Sequence, residues 1–240
     1  MIPLRDENRS QTEPHVTRIL LMINIVVFFV TFIPEFSGPN WLPAILGWLD
    51  PNQLNKAVLN FYNSYEMVPD YVLHGGRLYT LFTSMFLHAD LWHLGGNMLF
   101  LYVFGDNVED AFGHARYLGF YFLSGVVASV AFIGTQLFSG DVSTGAIGAS
   151  GAIAGVLGAY LILYPRARIL TLLIIGWIYI VPIPAVFFLG FWFVYQLLYG
   201  MLTLGVEAVT GIAYWAHIGG FVTGILFGWV WRGRRRVRTL

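Results

Sequence analysis

The chain contains no cysteine, which excludes disulfides, thiolate nucleophiles and zinc-thiolate sites together and leaves the redox compartment open. Charge is nearly as scarce: Asp, Glu, Lys and Arg make up 11% of the residues, against roughly a quarter in a soluble domain. Lys plus Arg and Asp plus Glu each number 13, so no net charge is available to attract nucleic acid. No His-Glu-x-x-His helix is present; His88 and Asp90 stand alone, and the other carboxylates lie near the ends of apolar runs or in loops. That pattern predicts no metal, no cofactor and no pair of mid-depth acids for an aspartyl mechanism. An internal repeat is missing too, which disfavours a solute transporter built from repeated halves. No small-residue cleavage site follows the first apolar run, so that run is expected to be a retained span rather than a signal peptide.

What is present is apolar: 57% of the residues, with eight Trp and twenty Phe. This is the composition of a membrane protein. Runs close to the roughly 20 residues that cross a bilayer predict spans at Val16–Ile33, Leu91–Gly105, Tyr117–Phe138, Ile147–Tyr164, Ala185–Leu204 and Ala213–Trp231. The uncharged stretch from Ile169 to Leu204 is too long for one straight helix and slightly short for two, and Pro182 and Pro184 cut it. Topology decides: with 169–181 not spanning, nearly all the arginines, including the 232–240 tail, fall on the cytoplasmic side. The expected fold is therefore all-α, a polytopic bundle of six transmembrane helices in a single domain over 1–240, with both termini cytoplasmic. A polar segment over 1–15 precedes the first span, and a long outer loop over 35–90, rich in Trp and Tyr, suits the membrane interface.

Three apolar segments carry polar side chains at matching depth. At about 1.5 Å per helical residue, Ser150 lies about 24 Å above Arg166, His217 about 22 Å above Arg232 and His93 about 20 Å above Asp106. Gly151 and Gly155 on one segment, and Gly220, Gly224 and Gly228 on another, give each a face where backbones can approach closely. His93 and Asn97, one turn apart, point toward the same neighbour. Taken singly, Ser150 in a small-residue stretch reads as helix packing and a His-x-x-x-Asn pair as interhelical glue; intramembrane ionisable groups are costly and tend to be functional.

Read together and in order, Phe86-Leu87-His88-Ala89, His93-Leu94-Gly95-Gly96-Asn97-Met98, Gly148-Ala149-Ser150-Gly151 and Ala216-His217-Ile218-Gly219-Gly220 resemble a rhomboid intramembrane serine protease of the six-span prokaryotic type. Ile2-Pro3-Leu4-Arg5-Asp6 and Pro165-Arg166-Ala167-Arg168 are similar as well. The resemblance implies Ser150 as nucleophile, His217 as general base, and Asn97 and His93 beside the Ser150 N–H as oxyanion donors. It further implies single-span membrane proteins as substrates, lipid as the other partner, and residence in the cell membrane. A rhomboid-like protein without activity that binds membrane clients is the alternative. Two departures stand out: Ala154 occupies a position where members often carry an aromatic supporting the histidine, and Gly76, where many have Trp, precedes the loop arginine Arg77. Support for His217 is then expected from Trp215 or Tyr214. The stretches 138–145 and 205–212 are candidates for a gate.

Overall fold

A computed structural model describes residues 1–8, 10–36, 51–204 and 211–238. The part of the first loop at 37–50 and the candidate gate residues 205–210 lie outside the described residues. In chain order the helices are α1 His15–Phe36, α2 Pro51–Tyr65, α3 Pro69–Leu73, α4 Thr80–Thr83, α5 Leu91–Phe112, α6 His114–Ser139, α7 Ser150–Leu163, α8 Ala185–Leu202 and α9 Tyr214–Arg238. By length and composition α6 and α8 can each cross a membrane, while the apolar parts of α1 and α7 are shorter. Large apolar side chains point outward: Phe187 and Leu202 on α8 and Trp229 on α9 are 68%, 74% and 70% exposed. A belt of this kind suits lipid rather than water.

The fold is mostly rather than wholly helical, which corrects the all-α expectation. Strands β1 Ile2–Asp6, β2 Arg168–Ile175 and β3 Trp177–Pro184 form an antiparallel sheet in that order. The non-spanning stretch after α7 is thus a hairpin. Its β-branched residues favour extended backbone, and Gly176 turns it with a φ of +70° that L side chains rarely adopt. The polar N-terminal segment supplies the third strand. It is fastened where the Asp6 carboxylate accepts from Tyr160 Oη (2.6 Å) and from Asn107 Nδ2 (2.8 Å).

The polar stretch after Gly105 is helical as well. α5 runs on through it to Phe112, because its acids find partners: the buried Glu109 accepts from the N–H groups of Val16 (2.9 Å) and Thr17 (2.7 Å), capping α1. The described part of the first loop is likewise folded into α2, α3, α4 and a 3₁₀ turn at Ser84–Phe86. Arg77 anchors it without a preceding tryptophan: its guanidinium donates to Asn63 O (2.6 Å) and lies 4.1 Å from the centre of the Tyr71 ring.

Helix α7 is the centre of the molecule, buried continuously from Gly151 to Tyr160. Glycine makes that position possible. A Cβ on Gly220 of α9 would sit 2.0 Å from Gly151 O, and one on Gly224 would sit 1.9 Å from Gly155 O, so the two backbones touch where side chains would otherwise hold them apart. On its other side α7 meets α6, with Gly155 against Ser124 and Gly151 against Ala128.

Candidate active site

Ser150 is not inside a spanning helix, as the 147–164 run implied; it is the first residue of α7. The preceding loop is held from two directions. Ala146 forms an antiparallel bridge with Met67, and Gly148 donates its N–H to Ser84 O (2.9 Å). Gly148 has φ +120°, and a Cβ there would lie 2.7 Å from His93 Nε2, so only glycine both turns the chain and admits the imidazole. The helical ladder starts with Ile153 N–H on Ala149 O (3.0 Å), which leaves the first-turn N–H groups at Ser150 and Gly151 without intrahelical carbonyls. A helix N-terminus of this kind favours developing negative charge.

The glycine contact between α7 and α9 brings His217 to the serine. Its Nε2 lies 2.8 Å from Ser150 Oγ. His217 Nδ1 lies 2.9 Å from Gln196 Oε1 on α8, and the Trp192 ring, also on α8, sits 5.9 Å from the imidazole centre at 36°. Support for the histidine thus comes from α8, and the two residues expected to give it do something else. Trp215 Nε1 donates to Gly200 O (2.9 Å), and Tyr214 packs near Tyr199 (5.7 Å). Ala154 itself packs toward α9, its Cβ 3.3 Å from where a Cβ on Gly220 would stand.

Asn97 and His93 lie on α5, whose N-terminus is capped by Asp90 Oδ1 accepting from His93 N–H (2.8 Å). Asn97 Nδ2 donates one hydrogen to His93 O (2.8 Å), which leaves its second N–H, and its buried Oδ1 has no hydrogen-bond partner among the described residues. Ala89 N–H makes a long contact of 3.4 Å to His93 Nδ1. A backbone N–H only donates, so Nδ1 is bare and the proton sits on Nε2, the atom that faces Gly148. The neighbouring His88 packs edge-on against His93 at 5.0 Å; burial, and then His93, lower its pKa to about 3. It is neutral at physiological pH, and among the described residues neither of its ring nitrogens has a hydrogen-bond partner. Among the described residues no group of three or more His, Asp or Glu is placed to hold a metal ion.

Gln196 and Trp192 were not legible as site residues, although a signal existed. Gln196 is the only amide in the long uncharged stretch from Ile169 to Leu204, and a lone amide in an apolar helix needs a partner. A small cavity of about 40 Å³ opens beside Ser150, lined by Met85, Gly125, Ala128, Gly148 and Ala216 among others.

A family model described as the rhomboid domain matches residues 75–234, which carry all of these side chains. The chain belongs to the rhomboid family. It is 36% identical to Rhomboid protease GluP of Bacillus subtilis (strain 168) over 92% of this chain and 37% of that protein. It is 32% identical to Rhomboid protein 1, mitochondrial, of Saccharomyces cerevisiae over 61% of this chain and 40% of that one. RHOMBOID-like protein 12, mitochondrial, of Arabidopsis thaliana is also 32% identical, over 80% of this chain and 60% of that protein. This rhomboid therefore spans between about a third and three fifths of the lengths of these relatives.

Proposed function

We propose that this rhomboid is an intramembrane serine endopeptidase that cleaves single-span membrane proteins within or near their membrane segment. The observation that carries the proposal is the 2.8 Å contact between Ser150 Oγ and His217 Nε2 at the N-terminus of α7. A hydroxyl is a poor nucleophile until a base takes its proton. In the proposed reaction Ser150 Oγ attacks the scissile carbonyl carbon as its proton passes to His217 Nε2. The oxyanion receives the Ser150 N–H, the second Asn97 N–H and His93 Nε2–H, with each side-chain donor contributing roughly 3 kcal/mol. His217 returns the proton to the leaving amine, and a water then resolves the acyl-enzyme by the same path in reverse.

Depth and pocket size support the substrate class. The 14 residues of α7 rise about 21 Å, less than the ~30 Å hydrocarbon core, so with Leu163 near one boundary Ser150 lies roughly 10 Å beneath the other. Water reaches the serine from that side, and a substrate helix must unwind there to expose its carbonyl. The cavity beside Ser150 takes a small side chain, because Met85 fills the space over Gly125, where a Cβ would stand 2.2 Å from Met85 Cε. The proposed arrangement is six spans, both termini and the Arg-rich tail on the cytoplasmic side of the cell membrane, and one domain over the whole chain.

The test is labelling by a fluorophosphonate in lipid, together with cleavage of a model transmembrane substrate. Wild type is expected to label at Ser150 and to cleave, and Ser150→Ala to do neither. A wild type that neither labels nor cleaves overturns the protease reading in favour of an inactive client-binding rhomboid, and a Ser150→Ala variant that cleaves at the wild-type rate removes Ser150 as the nucleophile.

A further inference from the structure

Gln196 is the only side chain on α8 that is neither apolar nor aromatic, and it is 6% exposed. Burying an amide in such a helix is unfavourable unless the amide is hydrogen-bonded. The partner it has is His217 Nδ1, 2.9 Å from Oε1. A carbonyl oxygen only accepts, so the contact places the imidazole proton on Nδ1 and leaves the lone pair on Nε2. Nε2 is the atom 2.8 Å from Ser150 Oγ. With the opposite tautomer an N–H would face the serine, and no proton could be taken from it.

We propose that Gln196 is the positioning residue for the catalytic histidine, selecting its tautomer and fixing its ring, in the place where serine hydrolases with a triad carry a carboxylate. This rests on the reading of Ser150 and His217 as nucleophile and base. The amide stays neutral throughout. During attack the Ser150 proton moves to His217 Nε2, the Nδ1 proton remains where it is, and the positive charge that develops on the ring is met by the Oε1 dipole. Trp192, one turn before Gln196 on the same helix, covers the ring at 5.9 Å and limits its rotation. Nucleophile, base and orienter thus come from α7, α9 and α8, and the base is competent only while α8 is seated against α9.

The decisive measurement is ¹⁵N NMR of histidine-labelled full-length protein in lipid, with the His217 signals assigned by their loss in His217→Ala. The wild-type ring is expected to be protonated at Nδ1 and bare at Nε2, and Gln196→Met, which keeps length but lacks the acceptor, to lose that preference. In parallel, kcat of Gln196→Met on the transmembrane substrate is expected to fall about tenfold, the worth of one neutral hydrogen bond, with KM unchanged. Gln196→Glu, which keeps an acceptor oxygen at the same reach, is expected to restore most of kcat. A wild-type ring protonated at Nε2, or a Gln196→Met variant with wild-type kcat, overturns the proposal. The wild-type tautomer is read without any substitution, so a variant that fails to fold does not protect the idea. If Ser150 never labels in wild type, the protease reading falls while the tautomer still decides what Gln196 does to His217.

Discussion

At the scale of single residues, the polar side chains divide into those that face reacting atoms and those that fasten the chain. In the proposed mechanism Asn97 does both, since one N–H holds His93 O and the other is free to meet the oxyanion. Asn97→Ala is expected to lower kcat about 100-fold, as removal of one oxyanion donor does, and to cost about 1 kcal/mol of stability. Turnover and thermal melting measured on the same sample separate the two effects. Asp6 belongs to the second group. Burial first of all pushes its pKa up to about 6, so its carboxyl is easier to accommodate protonated than ionised. A raised folded-state pKa contributes stability at and below the unfolded value of about 4 and loses it as pH rises through about 6. The buried His88 trends the other way, favouring the folded state less as pH falls below about 6.5. The informative quantity is therefore the difference in melting temperature between Asp6→Asn and wild type. It is expected to rise in favour of the variant between about pH 4 and pH 7, and a difference flat across that range removes Asp6 as its source. Ser150, His217, His93 and Asn97 were legible because each is a polar residue interrupting an apolar run in a recognisable order. The partner of His217 was not, since a hydrogen bond between residues 21 apart on different helices leaves no periodic trace in the chain.

At the scale of elements, the apolar runs located the long helices, and misjudged their ends wherever tertiary partners override hydropathy. α5 extends through Asp106–Phe112 because Glu109 caps α1, and α7 begins late because Gly148 breaks the backbone beside His93. Hydropathy marks the hairpin at 168–184 only as a stretch that does not span; nothing local says that residues 2–6 will pair with it. The glycine faces, by contrast, follow directly from their spacing. Gly220→Ala places a methyl 2.0 Å from Gly151 O, a contact relieved only by separating α7 from α9. The variant is expected to lose about 1–3 kcal/mol by overpacking. It is expected to lose more than 10-fold in Ser150 labelling as well, because His217 moves with α9. A variant that melts early yet labels at the wild-type rate would show that the glycine serves packing alone.

At the scale of the whole molecule, the proposed six-span topology rests on where the arginines fall, and the absence of cysteine makes it simple to check. Single substitutions Ser143→Cys in the loop between α6 and α7, Ala115→Cys at the start of α6 and Arg166→Cys after α7 all lie at exposed positions. A membrane-impermeant maleimide applied to intact cells is expected to label only the first, and labelling of either of the others reverses the proposed orientation. The sheet adds a constraint of a different kind, one of time. Ile2 pairs with Leu172, and the Asp6 carboxylate waits for a tyrosine 154 residues further along. Residues 2–6 are therefore made well before the strand they pair with, and they can be locked only after α7 has been made. Until then β1 is an unpaired strand held only through Asn107 on α5, and its docking waits for the hairpin.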